Sequence, residues 1–140
     1  MAEPLLKVEG LMKRFGGIVA TDHLDLSVAD GEVHALIGPN GAGKTTLIAQ
    51  LSGFLRPDAG RIVFDGHDVT RLPAPARVHR GLARSFQITS VLREFSALDN
   101  VALAVQARQG HSFRFWAPAR ADRSLRDPAM KALDSVGLAA

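Results

Sequence analysis

Hydrophobic and polar positions change their rhythm several times along this chain. Leu24, Leu26 and Val28 alternate with Asp25 and Ser27, the period-two pattern of a strand with one wet face, which favours an antiparallel sheet. Residues 33–37 are apolar except for His34 and lie between Gly31 and Gly38, as expected of a central, parallel strand covered on both faces. Leu47, Ile48 and Leu51 then recur at helical spacing, with Gly53 and Pro57 as stop signals, so a helix is predicted to begin near Gly43. Residues 61–64, the Asp65-Gly66 pair and residues 67–69 predict a β-hairpin.

Farther on, Pro73 and Pro75 suit the first turn of a short helix that Gly81 closes, and residues 83–86 follow as a short strand. Ser96 and Asp99 form a capping pair for a helix whose Leu98, Val101, Ala102 and Val105 share one face and which Gly110 ends. Asp127 and Pro128 are expected to open a last helix with Met130, Leu133 and Val136 as its apolar positions and Gly137 at its end. That leaves residues 111–126 as an irregular, arginine-bearing connection.

Composition narrows the class without choosing a function. At 140 residues, 46% apolar and 22% charged, the chain is one ordinary α/β domain or a piece of a larger one. No apolar run approaches the roughly 18 to 20 residues that cross a bilayer. The first seven residues lack a secretion-signal layout and cysteine is absent, so the cytosol is the expected compartment. Net charge is only +3, and the 13 arginines are scattered, which speaks for solvated faces and against a nucleic-acid partner. Histidines 23, 34, 67, 79 and 111 show no metal-ligand spacing.

The chemistry concentrates in Gly38-Pro39-Asn40-Gly41-Ala42-Gly43-Lys44-Thr45, which fits the P-loop pattern of Gly, four residues, Gly-Lys and Ser or Thr. Phosphate oxygens crowd negative charge that water solvates well, so a protein must replace that water with many donors at close range. Glycines let consecutive backbone N–H groups curl inward to supply them, and the following helix adds its positive end. Lys44 suits the β and γ phosphates as a point charge, the Thr45 hydroxyl suits Mg²⁺, and Thr46 suits the α phosphate. The motif follows a buried-strand pattern and precedes a helical one, the context its mechanism demands.

Three flanking features choose among P-loop proteins. Gly31-Glu32-Val33 leads into Leu36-Ile37 and the loop and on through Thr46-Leu47; Phe15 stands in Lys13-Arg14-Phe15-Gly16-Gly17; Gln87 closes Leu82-Ala83-Arg84-Ser85-Phe86-Gln87. With these, the chain resembles the ATP-binding cassette (ABC) ATPases over its whole length, and the runs around Phe15 and Gln87 are similar to the ATPases of branched-chain amino-acid importers. The resemblance implies an α/β fold: a P-loop NTPase core with a parallel sheet, an N-terminal antiparallel β subdomain and the start of a helical subdomain. Residues 1–140 would form an incomplete nucleotide-binding domain, divided into 1–95 and 96–140. It implies that Phe15 stacks on adenine, where the family more often has tyrosine; the alternative is a core phenylalanine. It also implies that Gln87 ligates Mg²⁺ and acts with Lys44 in catalysis, while a surface glutamine is the alternative.

As implied by the family, two ATP-binding subunits sandwich two ATP molecules and drive transmembrane permease subunits, with an external solute-binding protein as an indirect partner. The subunit would lie in the cytoplasm, peripheral on the inner face of the cell membrane. Residues 87–95 would meet the permease, and Phe113, Phe115 and Trp116 would meet lipid, partner or their own surface. The family's signature loop, catalytic glutamate and switch histidine are expected beyond Ala140, which makes turnover by this chain alone unexpected. A DNA-associated ATPase and a nucleotide-binding module without turnover are the rival readings.

Overall fold

The computed structural model describes residues 3–86, 91–110 and 118–138. The chain divides into two compact units, Met1–Ser85 and Phe86–Ala140.

The first unit is built on a four-stranded antiparallel sheet in the order β2-β1-β3-β4, with β1 at Leu6–Phe15, β2 at Ile18–Val28, β3 at Ala59–Phe64 and β4 at His67–Asp68. Period two holds in β2, where Leu24, Leu26 and Val28 are sheltered and Asp25 and Ser27 exposed. The β3–β4 hairpin forms as its sequence predicts, with positive φ at both Asp65 (47°) and Gly66 (69°), which a two-residue primed turn requires. Strand β1 escapes a periodicity reading for a physical reason: the β1–β2 register shifts between Val8 and Leu11, so the alternation changes phase in mid-strand. Asp25 bridges this irregularity by accepting from the Gly10 N–H at 2.6 Å.

Helix α1 spans Lys44–Leu51, and helix α2, Ala74–His79, places Pro75 in its first turn as anticipated. Leu47 of α1 joins Val8, Leu11, Ile62 and Val69 in the buried core. Gln50, fully buried on the next turn, accepts from the Thr21 hydroxyl (2.8 Å) and donates to the Met12 carbonyl (3.3 Å). One face of α1 is therefore fixed to β1 and β2 by packing and by polar bonds together.

Two expected strands are not strands. Residues 33–37 and 83–86 take part in no ladder, and Val33 and Ile37 are 98% and 90% exposed. A parallel strand has no hairpin partner and depends on neighbours supplied from far along a chain, and among the described residues no element lines up beside either segment. The parallel sheet expected for the core is thus absent from the described residues, whose sheet is wholly antiparallel.

The second unit pairs α3, Ala97–Gln109, with α4, Arg123–Asp134. Ser96 caps α3 by accepting from the Asp99 N–H (3.1 Å), and Gly110 ends it at φ 73°, as anticipated. Helix α4 differs from its expectation. It starts at Arg123, capped by Asp122, and carries Pro128 inside. Proline removes the N–H that would bond the carbonyl four residues back, and that carbonyl, of Ser124, instead accepts from Gln109 Nε2 of α3 at 3.0 Å. The buried stripe is accordingly Leu125, Ala129 and Leu133, while Met130 and Val136 are exposed.

Candidate functional site

The loop at residues 38–43 runs straight into α1, and its shape is imposed by a close backbone approach. Gly43 adopts φ 80° and serves as N-cap of α1. A Cβ placed on it would lie 2.1 Å from the Ala20 carbonyl oxygen of β2, inside any possible contact distance. Only glycine lets the loop lie this close to the sheet while turning into the helix.

That turn leaves the start of α1 bare. Gly43 offers no side-chain cap, the first turn holds no acidic residue, and the first intrahelical bond runs from the Leu47 N–H to the Gly43 carbonyl at 2.8 Å. The N–H groups of Lys44, Thr45 and Thr46 precede it and have no intrahelical acceptor. These donors and the positive end of the helix dipole share the start of α1, where Thr45 is exposed, a setting suited to an oxyanion rather than to a cation. Lys44 folds onto its own loop, donating to the carbonyls of Gly38 (2.5 Å) and Pro39 (2.7 Å). Its ammonium thus sits at the loop, within reach of whatever the loop holds.

The other end of α1 is fully satisfied. Gly53 N–H donates to the Gln50 carbonyl and Phe54 N–H to that of Ala49, while Gly53 takes φ 80°. Arg77 of α2, 1% exposed, supplies what remains: Nη1 donates to the carbonyls of Gln50 (2.8 Å) and Leu51 (2.6 Å), Nε to Leu72 (2.9 Å) and Nη2 to Thr70 (3.0 Å). Burial pushes its pKa below the usual guanidinium value and the charge of Asp68 opposes that. Composition treats Arg77 as one more solvated arginine; nothing local in the sequence distinguishes it.

Phe15 ends β1 half exposed, so it is not a core ring. It pairs with Ile18 across the turn at 16–17, two residues before the Ala20 that backs the loop. Lys13 Nζ lies 5.6 Å from its centroid and is held by Asp58 at 2.7 Å. Asp58 also accepts from the Arg14 N–H, and these hydrogen bonds, the Lys13 one foremost, hold its carboxyl below the ordinary range. The hairpin end that carries Phe15 and the phosphate-type loop therefore stand side by side on β2. Gln87 lies outside the described residues, as do Phe113, Phe115 and Trp116.

A profile of the ABC transporter family matches residues 21–139. The chain belongs to the ABC transporter family. A high-affinity branched-chain amino acid transport ATP-binding protein, BraF of Pseudomonas aeruginosa, is 36% identical over 99% of this chain and 56% of its own length. The corresponding LivG protein of Escherichia coli K12 is 40% identical over 74% of this chain and 41% of its own. A ribose import ATP-binding protein, RbsA 1 of Mesorhizobium japonicum, is 41% identical over 74% of this chain. Among solved structures, the ADP conformation of an ATP-binding cassette of an ABC transporter superposes with a TM-score of 0.80 at 31% identity. The match covers 99% of this chain and 56% of that one. The architecture is thus that of the P-loop ABC fold, and the chain spans about half the length of the curated relatives it matches. No helix among the described residues is long and apolar enough to cross a membrane.

Proposed function

We propose that this chain is the nucleotide-binding part of a subunit that powers import of branched-chain or related amino acids through a membrane permease. One observation carries the reading: a glycine-hinged loop pressed on Ala20 presents the start of α1, with no side-chain cap and no acid in its first turn, beside a lysine whose ammonium lies on the loop carbonyls. The relatives named for branched-chain amino acid transport support the substrate class.

In this reading the backbone N–H groups of residues 41–46 hold the β and γ phosphates of ATP, and Lys44 exchanges its bonds to Gly38 and Pro39 for phosphate oxygens. Gly38, Pro39, Asn40, Gly41, Ala42 and Gly43 shape the cradle, Thr46 reaches the α phosphate, and Phe15 offers its exposed face to adenine. The exposed Thr45 would hold Mg²⁺ through its hydroxyl, with the Gln87 amide oxygen as the second ligand that the family resemblance implies; such an ion would supply charge neutralisation at the phosphates. Lys44 and Gln87 then act in hydrolysis by the complete subunit, paired with a second one. The 140-residue chain is proposed to bind nucleotide without turning it over. Permease contact at residues 87–95 is supported by the exposed apolar Val91, Leu92 and Phe95, a turn that Asn100 pins from α3 through bonds to Leu92 and Phe95. A permease cross-linking survey of that stretch tests it, and no cross-link there rejects it.

Calorimetry with Mg-ATP tests the central claim: saturable binding by the wild type, weakened at least about tenfold by Lys44→Ala, is expected for a lost charged phosphate contact. Wild-type protein that ignores millimolar nucleotide overturns it.

A further inference from the structure

Arg77 is the largest fully buried side chain among the described residues, and neither phosphate binding nor hydrolysis uses it. Its guanidinium gathers carbonyls from two separate stretches: Gln50 and Leu51 at the end of α1, Thr70 and Leu72 in the loop before α2. Its own backbone carbonyl accepts from Arg80 N–H and Leu82 N–H, both at 3.0 Å, so residue 77 also shapes the turn out of α2. From Leu82 the chain runs through only Ala83, Arg84, Ser85 and Phe86 to Gln87.

We propose that Arg77 is a positioning residue that joins α1 and residues 70–82 into one mechanical unit, so that phosphate bound at the start of α1 is felt along the segment leading to Gln87. The inference rests on the nucleotide-binding reading above and adds a link from the start of α1 to residues 70–82.

Three physical features carry it. Helix α1 has eight residues, about 12 Å at 1.5 Å per residue, and is too short to absorb a push at one end by bending. Its two ends are electrically complementary: phosphate charge at the exposed N-terminus and the buried guanidinium at the C-terminal carbonyls both favour the same dipole. The contact is also tight, because a Cβ on Gly53 would come within 2.9 Å of both the Ala74 nitrogen and Arg77 Nε. A displaced α1 has no slack to take up before α2 moves. Lysine cannot replace the fork, since one ammonium offers no planar donor set for carbonyls on two segments.

Amide hydrogen exchange on the full chain, with and without Mg-ATP, reads the link directly. In the wild type, Mg-ATP is expected to slow exchange in residues 41–47 and also, by about fivefold, in residues 70–82, the low end of ordinary coupling between sites. In Arg77→Lys the protection of 41–47 should persist, with ATP affinity within about threefold because the change lies at the far end of the helix. The response of 70–82 should be lost. A merely structural Arg77 would change the basal exchange of 70–82 but leave its response to nucleotide. Retention of that response in Arg77→Lys overturns the proposal, as does a wild type that protects 41–47 and shows no change at 70–82. Should Arg77→Lys fail to fold, Gly53→Ala, which separates the same contact while keeping the guanidinium, decides: a lost response supports the link and a kept one refutes it. Wild-type protein that binds no Mg-ATP instead refutes the nucleotide reading itself, a separate outcome.

Discussion

The two ends of α1 are opposites. At its C-terminus each of the last four carbonyls has a donor: Ser52 N–H on Ile48, Phe54 N–H on Ala49, Gly53 N–H and Arg77 on Gln50, and Arg77 on Leu51. At its N-terminus three N–H groups stand without intrahelical acceptor, side-chain cap or acidic residue in the first turn, and the adjacent cation turns back on loop carbonyls. Helix ends are ordinarily closed by side chains or water, and a helix start with no side-chain cap and no acidic residue in its first turn suits an anion. The difference teaches how the cradle keeps its shape. Core packing through Leu47, the Gln50 bonds and the Arg77 fork hold the rod, so the loop need not hold itself.

The largest effect should come from breaking the closed end. Arg77→Met removes donors from four carbonyls in a buried place and should cost about 3–5 kcal/mol of stability, read as a lower denaturation midpoint at unchanged slope. At the bare end, Gly43→Ala forces a Cβ onto the Ala20 carbonyl at a positive φ. It should cost about 2–3 kcal/mol and abolish measurable nucleotide binding as the loop lifts off β2, checked by melting and calorimetry on the same samples. Lys44→Ala sharpens the contrast, because it touches binding and not the rod. Affinity for Mg-ATP should fall about 30-fold, as for a lost charge-assisted contact of about 2 kcal/mol, while the melting temperature stays put.

The smallest effect concerns the hairpin that backs the loop. Asp58, held below its ordinary 3.8 by Lys13 and the Arg14 N–H, stabilises the fold above that value and loses this contribution as pH falls through its lower folded pKa. Melting temperature should therefore decline below about pH 4, and Asp58→Asn should make the decline shallower, seen in melts followed by circular dichroism.

Local signals were legible. The glycine-lysine-threonine spacing marked the loop, Asp65-Gly66 the hairpin, Ser96 the cap of α3, and Pro75 the first turn of α2, because each rule concerns residues within one turn of each other. Where contacts of long range decide, legibility failed. A bulge opposite Asp25 hid β1; Pro128, read as a helix start, sits inside α4 because Gln109 takes the carbonyl it frees. The apolar run at 33–37 announced a buried strand, yet burial needs neighbours that the described residues do not bring to it.

By itself, then, the amino-acid sequence determined the phosphate-type loop, its helix and the family resemblance, since these rest on short-range backbone geometry that glycine, proline and hydroxyl side chains impose wherever they occur. Only the tertiary structure decided that Gly43 lies against Ala20, that Phe15 faces outward beside the loop, and that Arg77 is the buried clasp of α1. A cation's role depends on which carbonyls surround it, and those come from residues 26 and 27 positions away, beyond the reach of any local pattern.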